Sequence, residues 1–205
     1  LSYTDKNILE DINLDIYQGD FLLITGPNGG GKTSLLRTIL RLQSPTKGQI
    51  TFFRQGEPVS SLDMGYLPQK NSIDSRFPIT VEEVVSSGLM GNTQKGNTKF
   101  DSKKEIDEML DLMGITALRN KPIGVLSGGQ LQRSLFGRAL ISKPEMLILD
   151  EPASYIDRQF GNRMFEILRD LSSNGTTIMM VSHEIEPFIT LSNRNLYINH
   201  ILGDR

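Results

Sequence analysis

The segment Gly26-Pro27-Asn28-Gly29-Gly30-Gly31-Lys32-Thr33 constrains the fold more than any other part of the chain. Before it lies an apolar run, Phe21–Thr25, with the size of a buried strand. After it, Lys32–Leu42 places Leu35, Leu36, Ile39 and Leu40 on one helical face. A Gly-rich turn between a strand and a helix, with Lys-Thr at the helix start, has the makeup of a phosphate-cradling loop. Phosphate oxygens are wrapped by successive backbone N–H groups, so side chains near the turn must be small or absent. The helix beginning at Lys32 aims the positive end of its dipole at the anion. Lys32 adds a cation that reaches the β- and γ-phosphates, and the Thr33 hydroxyl suits Mg²⁺. The expected phosphate-binding set is Gly26, Pro27, Asn28, Gly29, Gly30, Gly31, Lys32, Thr33 and Ser34.

Further along, strands and helices alternate, which marks an α/β domain. Gln49–Phe53 and Met64–Leu67 read as short strands. From about Thr80 to Ser142 the pattern turns helical. Val81, Val84 and Val85 give one apolar face; Ile106, Met109, Leu110 and Met113 give a second; Leu131, Leu135, Ala139 and Leu140 give a third. Gly88–Lys99, rich in Gly, Asn, Thr and Lys, reads as a loop. The α/β pattern then resumes with a strand at Met146–Leu149, a helix at Gln159–Ser172 closed by Asn174-Gly175, and a strand at Thr176–Ser182. The chain of 205 residues is therefore expected to be a single domain. Residues 1–79 and 143–205 form its α/β core, and about 80–142 form a helical insert.

Composition excludes several classes. With no cysteine there is no disulfide and no thiolate metal site. A net charge of −2 gives no sign of a nucleic-acid surface. No apolar run approaches membrane-spanning length and no secretory leader is visible, so any membrane role is expected to run through a partner. The sequence opens on Leu1 rather than Met, and further residues are expected ahead of it.

Two more segments carry chemistry. Met146-Leu147-Ile148-Leu149-Asp150-Glu151 is an apolar strand ending in two acids. Asp150 at such a tip, beside the phosphate loop, is suited to hold Mg²⁺, and Glu151 to orient and polarise an attacking water. Leu126-Ser127-Gly128-Gly129-Gln130 reads as a second phosphate-binding helix start: Ser127 caps the helix, and Gly128 and Gly129 leave N–H groups open to an anion. His200 has no assigned chemistry and is expected to be structural or exposed.

In this order and spacing, the three motifs resemble the ATP-binding cassette (ABC) family across essentially the whole chain. The resemblance implies a P-loop NTPase fold with a mixed, mainly parallel sheet, an antiparallel β part near the N-terminus and an inserted helical subdomain. It implies ATP and Mg²⁺ as ligands. By the same resemblance, Tyr3 is the aromatic that stacks on adenine and Gln69, in Gly65-Tyr66-Leu67-Pro68-Gln69, senses Mg²⁺ and the γ-phosphate. His183 matches the switch histidine that contacts the γ-phosphate, and Asp157, in Ser154-Tyr155-Ile156-Asp157, the acid of a loop that communicates across a dimer. Tyr155, Ile156 and Gly137 depart from the commoner residues at these places. The implied catalytic residues are Lys32, Gln69, Glu151 and His183; the implied Mg²⁺ ligands are Thr33, Gln69 and Asp150.

The implied function is an ATP-hydrolysing transporter subunit. It works as a homodimer, with Ser127–Gln130 of one copy closing over the ATP held by the other. It sits peripherally on the cytoplasmic membrane face through transmembrane permease subunits, with an extracytoplasmic solute-binding protein completing the system. Arg76–Val85 resembles the zinc, manganese and iron-chelate importer branch, and the permease is expected to dock at about Lys70–Gly88. Two other readings are a soluble cassette ATPase acting on ribosomes or DNA and a regulator without turnover. The first usually brings two cassettes or a long coiled coil, which this sequence lacks; the second predicts loss of Lys32 or of the acid pair, which this sequence keeps.

Overall fold

The computed structural model describes residues 8–69, 78–90, 99–183, 186 and 188–204, without the side chains of 99–101 and 201–204. Its main sheet runs in the order β4 (Met64–Leu67), β5 (Met146–Asp150), β6 (Thr177–Val181), β1 (Phe21–Thr25), β7 (Arg194–Asn199), β8 (Ile201–Asp204). All neighbours are parallel except β7 with β8. A separate antiparallel hairpin joins β2 (Phe52–Arg54) to β3 (Glu57–Val59).

The parallel strands are buried on both faces and so read as unbroken apolar runs. Their side chains nevertheless divide with period two. Phe21, Leu23, Leu147, Leu149, Ile178 and Met180 enter one cluster; Leu22, Ile24, Met146, Ile148, Met179 and Val181 enter another. The first is covered by α2 (Val81–Ser86), α3 (Lys99–Leu112), α4 (Gly128–Leu140) and α5 (Arg158–Ser173). The second is covered by α1 (Lys32–Ile39) and the segment containing Leu9, Ile12, Leu14 and Ile16.

Helix α4 approaches β4 closely. A Cβ on Gly65 would stand 2.0 Å from the Ala139 carbonyl oxygen. At its C-terminal end, Arg138 donates to the Tyr66 carbonyl at 3.0 Å.

Local differences from the sequence expectation have physical causes. Helix α1 stops at Ile39 rather than Leu42. Arg41 takes a left-handed φ of 57°, its N–H bonds to Thr38 O and that of Leu42 to Arg37 O. This is a Schellman termination without the usual glycine. The strand expected at Gln49–Phe53 pairs only over Phe52–Arg54. The turn to β3 uses Gln55 and Gly56, both at positive φ, as a two-residue hairpin turn requires. Strands β3, β7 and β8 were not anticipated. Pro58 inside β3 argues against a strand unless it lies on an edge.

Candidate active site

Parallel register puts the C-terminal ends of four adjacent strands on one edge. Leu67 of β4 pairs with Leu149, Asp150 with Val181, and Val181 with Ile24 of β1. The residues just beyond those ends are Gln69, Glu151, His183 and the loop starting at Gly26. Ligands of open α/β sheets bind at this edge.

The loop can only be built from glycine at its tightest points. Gly26 has φ 142°, and a Cβ there would stand 2.0 Å from the Ile198 carbonyl oxygen. Gly31 caps α1 in the left-handed region at φ 101°, with Leu9 Cδ2 2.4 Å from where a Cβ would fall. No side chain caps α1, so its first N–H groups keep no side-chain partner there. Lys32 is buried, and its Nζ donates to the carbonyls of Gly26 and Pro27 at 2.9 Å each. Ser34 continues the first turn of α1 and is partly exposed.

Thr33 Oγ1 donates to Asp150 Oδ2 at 2.9 Å. Asp150 is buried, and burial pushes its carboxyl above the usual range against the Thr33 hydroxyl and the charges of Arg37 and Lys32. Glu151 turns out of the strand at φ 55°, unusual for a non-glycine residue. Its Oε2 accepts from the His183 backbone N–H at 3.3 Å, and its Oε1 lies 3.4 Å from His183 Nε2. Burial raises the Glu151 carboxyl too, with His183 opposing. His183 Nε2 also lies 3.0 Å from Asn28 Oδ1. One imidazole thus joins the phosphate loop to the acid after β5.

Ser127–Gln130 and Asp157 lie together elsewhere. Ser127 Oγ accepts from Gln130 N at 3.3 Å while Gln130 Oε1 accepts from Ser127 N at 3.0 Å, a reciprocal cap that starts α4 at Gly128. These residues line a cleft of about 550 Å³ with Arg133, Tyr155 and Asp157, and no residue of the Gly26–Ser34 loop lines it. Asp157 caps α5, accepting from Phe160 N at 3.0 Å; that bond, aided by Arg133, holds its carboxyl below the usual range. Arg133 pairs with Asp157 and lies 4.5 Å over the Phe160 ring. Arg133 has no role in the motifs read from the sequence; its place three residues after Gln130, on the same helix face, was the available signal. Tyr3, and the part of the docking stretch from Lys70 to Phe77, lie outside the described residues. Ile79, Val81 and Val84 within that stretch pack into the helical side of the core.

Residues 9–154 match the family described as ABC transporter. The chain belongs to the ABC transporter family. It is an ATP-binding and ATP-hydrolysing transporter subunit. The cassette is 40% identical over 200 residues to a Chlamydia pneumoniae protein named "Probable metal transport system ATP-binding protein", covering 96% of this chain and 81% of that one. It is 35% identical to the zinc import ATP-binding protein ZnuC of Haemophilus influenzae, covering 96% and 68%. It is 36% identical to the zinc uptake system ATP-binding protein ZurA of Listeria monocytogenes, covering 98% and 78%. Its fold matches a dimeric ATP-binding cassette bound to ADP and phosphate in a post-hydrolysis state, with TM-score 0.84 at 24% identity, over 100% of this chain and 94% of the other. Cassettes of this kind form dimers and, in import systems, work with permease components. Among the described residues no helix is long and apolar enough to cross a membrane.

Proposed function

We propose that this cassette drives the import of a divalent metal ion, zinc before manganese or an iron chelate, from the cytoplasmic membrane face. Its partners are separate permease subunits and an extracytoplasmic solute-binding protein. The observation that carries the cargo is the metal or zinc transport named for relatives at 35–40% identity over 96% or more of the chain. The division into an α/β core (1–79 and 143–205) and a helical part (about 80–142) is proposed with it, as is permease docking on Lys70–Gly88.

The geometry supports a two-copy site. The phosphate loop, Gln69, Asp150, Glu151 and His183 share one edge of the sheet, while the capped start of α4 and Asp157 open onto a different cleft. A second copy in opposite orientation would bring the α4 N–H groups to the phosphates. Gly26–Ser34 binds the triphosphate, with Lys32 exchanging its two carbonyl contacts for phosphate oxygens, and Tyr3 stacks on the base. Glu151 orients and polarises water, and His183 leaves Asn28 for the γ-phosphate. Asp157 communicates across the dimer.

The Thr33 hydroxyl against the buried Asp150 carboxylate fits Mg²⁺, a hard cation that keeps waters and takes its remaining oxygens from phosphate, with Gln69 nearby. Bound there, the ion would neutralise charge on the phosphate oxygens.

Zinc, manganese and iron-chelate uptake are measured in the source cell lacking this chain, complemented by wild type or Glu151→Gln. Zinc uptake restored by wild type alone supports the reading. Restoration of none of the three cargoes refutes metal import.

A further inference from the structure

Glu151 stands in a backbone conformation that its sequence disfavours. Its φ of 55° is left-handed, while the proline after it pushes a residue towards the extended region. Such strain persists only where the surroundings hold it. Among the described residues, three hydrogen bonds anchor the main chain of this turn. Glu151 N donates to Val181 O at 2.9 Å, and Glu151 O accepts from Ser154 N at 3.2 Å. The third comes from a side chain: Gln132 Nε2, on α4, donates to Pro152 O at 3.2 Å. Proline has no N–H, so its carbonyl is the one main-chain hydrogen-bonding group by which Pro152 can be held.

Gln132 is 1% exposed, and its Oε1 has no hydrogen-bond partner among the described residues. An unpaired buried acceptor costs at least as much as one hydrogen bond returns, so fold stability does not account for an amide at this place. We propose that Gln132 is a positioning residue for Glu151, its amide tying the Glu151-Pro152 turn to α4. This rests on the reading of Glu151 as the group that polarises water. The same helix meets the rest of that loop at two more places: a Cβ on Gly129 would stand 2.9 Å from Tyr155 O, and Arg133 pairs with Asp157. A shift of α4 therefore reaches the Glu151 carboxylate through Gln132.

The test uses Gln132→Met, which keeps the length and loses the donor, and Gln132→Glu, whose carboxyl donates to Pro152 O only while protonated. Methionine removes the unpaired Oε1 and leaves Pro152 O unpaired instead, so the melting temperature is expected to change by only a few degrees. For the purified chain, kcat, ATP affinity by titration and melting temperature are compared with wild type from about pH 6 to about pH 8, the range in which a buried carboxyl titrates. Gln132→Met is expected to lower kcat by about ten- to a hundredfold at every pH, with ATP affinity unchanged. Gln132→Glu is expected to approach wild-type kcat at the acid end and to lose it as pH rises. In a Glu151→Gln background, Gln132→Met is expected to cost no further kcat, because its effect runs through the carboxylate already removed. Wild-type kcat in Gln132→Met overturns the proposal. So does a loss of kcat matched by a loss of ATP affinity, or one that multiplies with that of Glu151→Gln. If Gln132→Met does not fold, the pH series of Gln132→Glu decides: a deficit that does not shrink on acidification overturns the proposal. Failure of the underlying reading looks different: Glu151→Gln alone would then hydrolyse ATP at the wild-type rate.

Discussion

Replacing Glu151 with glutamine separates what this side chain does for turnover from what it does to stability. Its side chain is 13% exposed and faces His183 through both oxygens, at 3.3 and 3.4 Å. Glutamine keeps the shape and one acceptor oxygen, so nucleotide binding is expected to persist. It loses the negative charge that polarises water, and turnover is expected to fall by about 10²–10⁴-fold. The stability effect has the opposite sign. Burial raises the folded-state pKa of Glu151 above its unfolded value, against the pull of His183. Such a carboxyl costs nothing below its unfolded pKa, where both states are protonated. It destabilises the fold progressively as pH rises through the raised value. Above the raised value the full cost is present in the wild type and absent from the amide. Glu151→Gln is therefore expected to melt at or above the wild-type temperature at pH 7, with the difference closing towards pH 4. The assays are a phosphate-release rate, thermal melts across that range, and size-exclusion chromatography with ATP, which is expected to show a trapped dimer. Wild-type hydrolysis would refute the role given to Glu151. A melting temperature below wild type at pH 7 that does not recover on acidification would refute the desolvation argument.

Lys32→Ala is expected to weaken ATP binding in a titration; it also strips the Gly26 and Pro27 carbonyls of their ammonium donor, so the nucleotide-free protein is expected to melt lower. Mixing Lys32→Ala with Ser127→Arg is expected to restore some ATPase activity, because half the mixed dimers' sites are intact; normal hydrolysis by each mutant alone at low concentration would remove the two-copy site. Gly65→Ala forces β4 from α4, since its Cβ would meet the Ala139 carbonyl oxygen at 2.0 Å. Overpacking of about 1–3 kcal/mol is expected to lower the melting temperature by several degrees, and an unchanged melt would show that the helix moves without cost.

The parts of the site legible in the sequence are those whose signal is local. Strand, glycine turn and helix lie consecutively from Phe21 to Ile39, and the apolar strand before Asp150 needs no distant residue to be recognised. The cap at Ser127 was legible for the same reason: its partner, Gln130, is one turn away. What was missed depends on backbone conformations that composition does not announce, or on contacts between distant segments. Arg41 ends α1 in a left-handed conformation without a glycine, and Glu151 and His200 hold positive φ with ordinary side chains. Asn28 reads as one more residue of a phosphate turn until the fold brings His183 to it from 155 positions away. Strands β7 and β8 became visible only through their pairing, and with them the surface that shapes Gly26 and Gly30.

The last prediction concerns how the start of α4 is coupled to the loop before α5. Arg133 stands between them. Its guanidinium pairs with one oxygen of Asp157 and lies over the Phe160 ring, while the other Asp157 oxygen caps α5 through Phe160 N. Asp157 is thus oriented from both sides, and a shift of α4 moves it. Arg133→Met removes the pair and the ring contact but keeps the apolar stem. The ring contact alone is worth about 0.5–1 kcal/mol, so the melting temperature is expected to fall by only a few degrees. Turnover is expected to fall further, by about tenfold; a 1 Å misplacement caused by a mutation far from the chemistry can cost about 10²-fold. KM for ATP is expected to change less than kcat, because Arg133 bonds to Asp157 and the capping bonds of Ser127 and Gln130 do not involve it. Asp157→Asn keeps the capping oxygen and loses the charge. If the two residues act as one device, the double mutant is no slower than the worse single mutant. If their effects on kcat multiply, Arg133 and Asp157 act independently, and the coupling assigned to their ion pair is refuted.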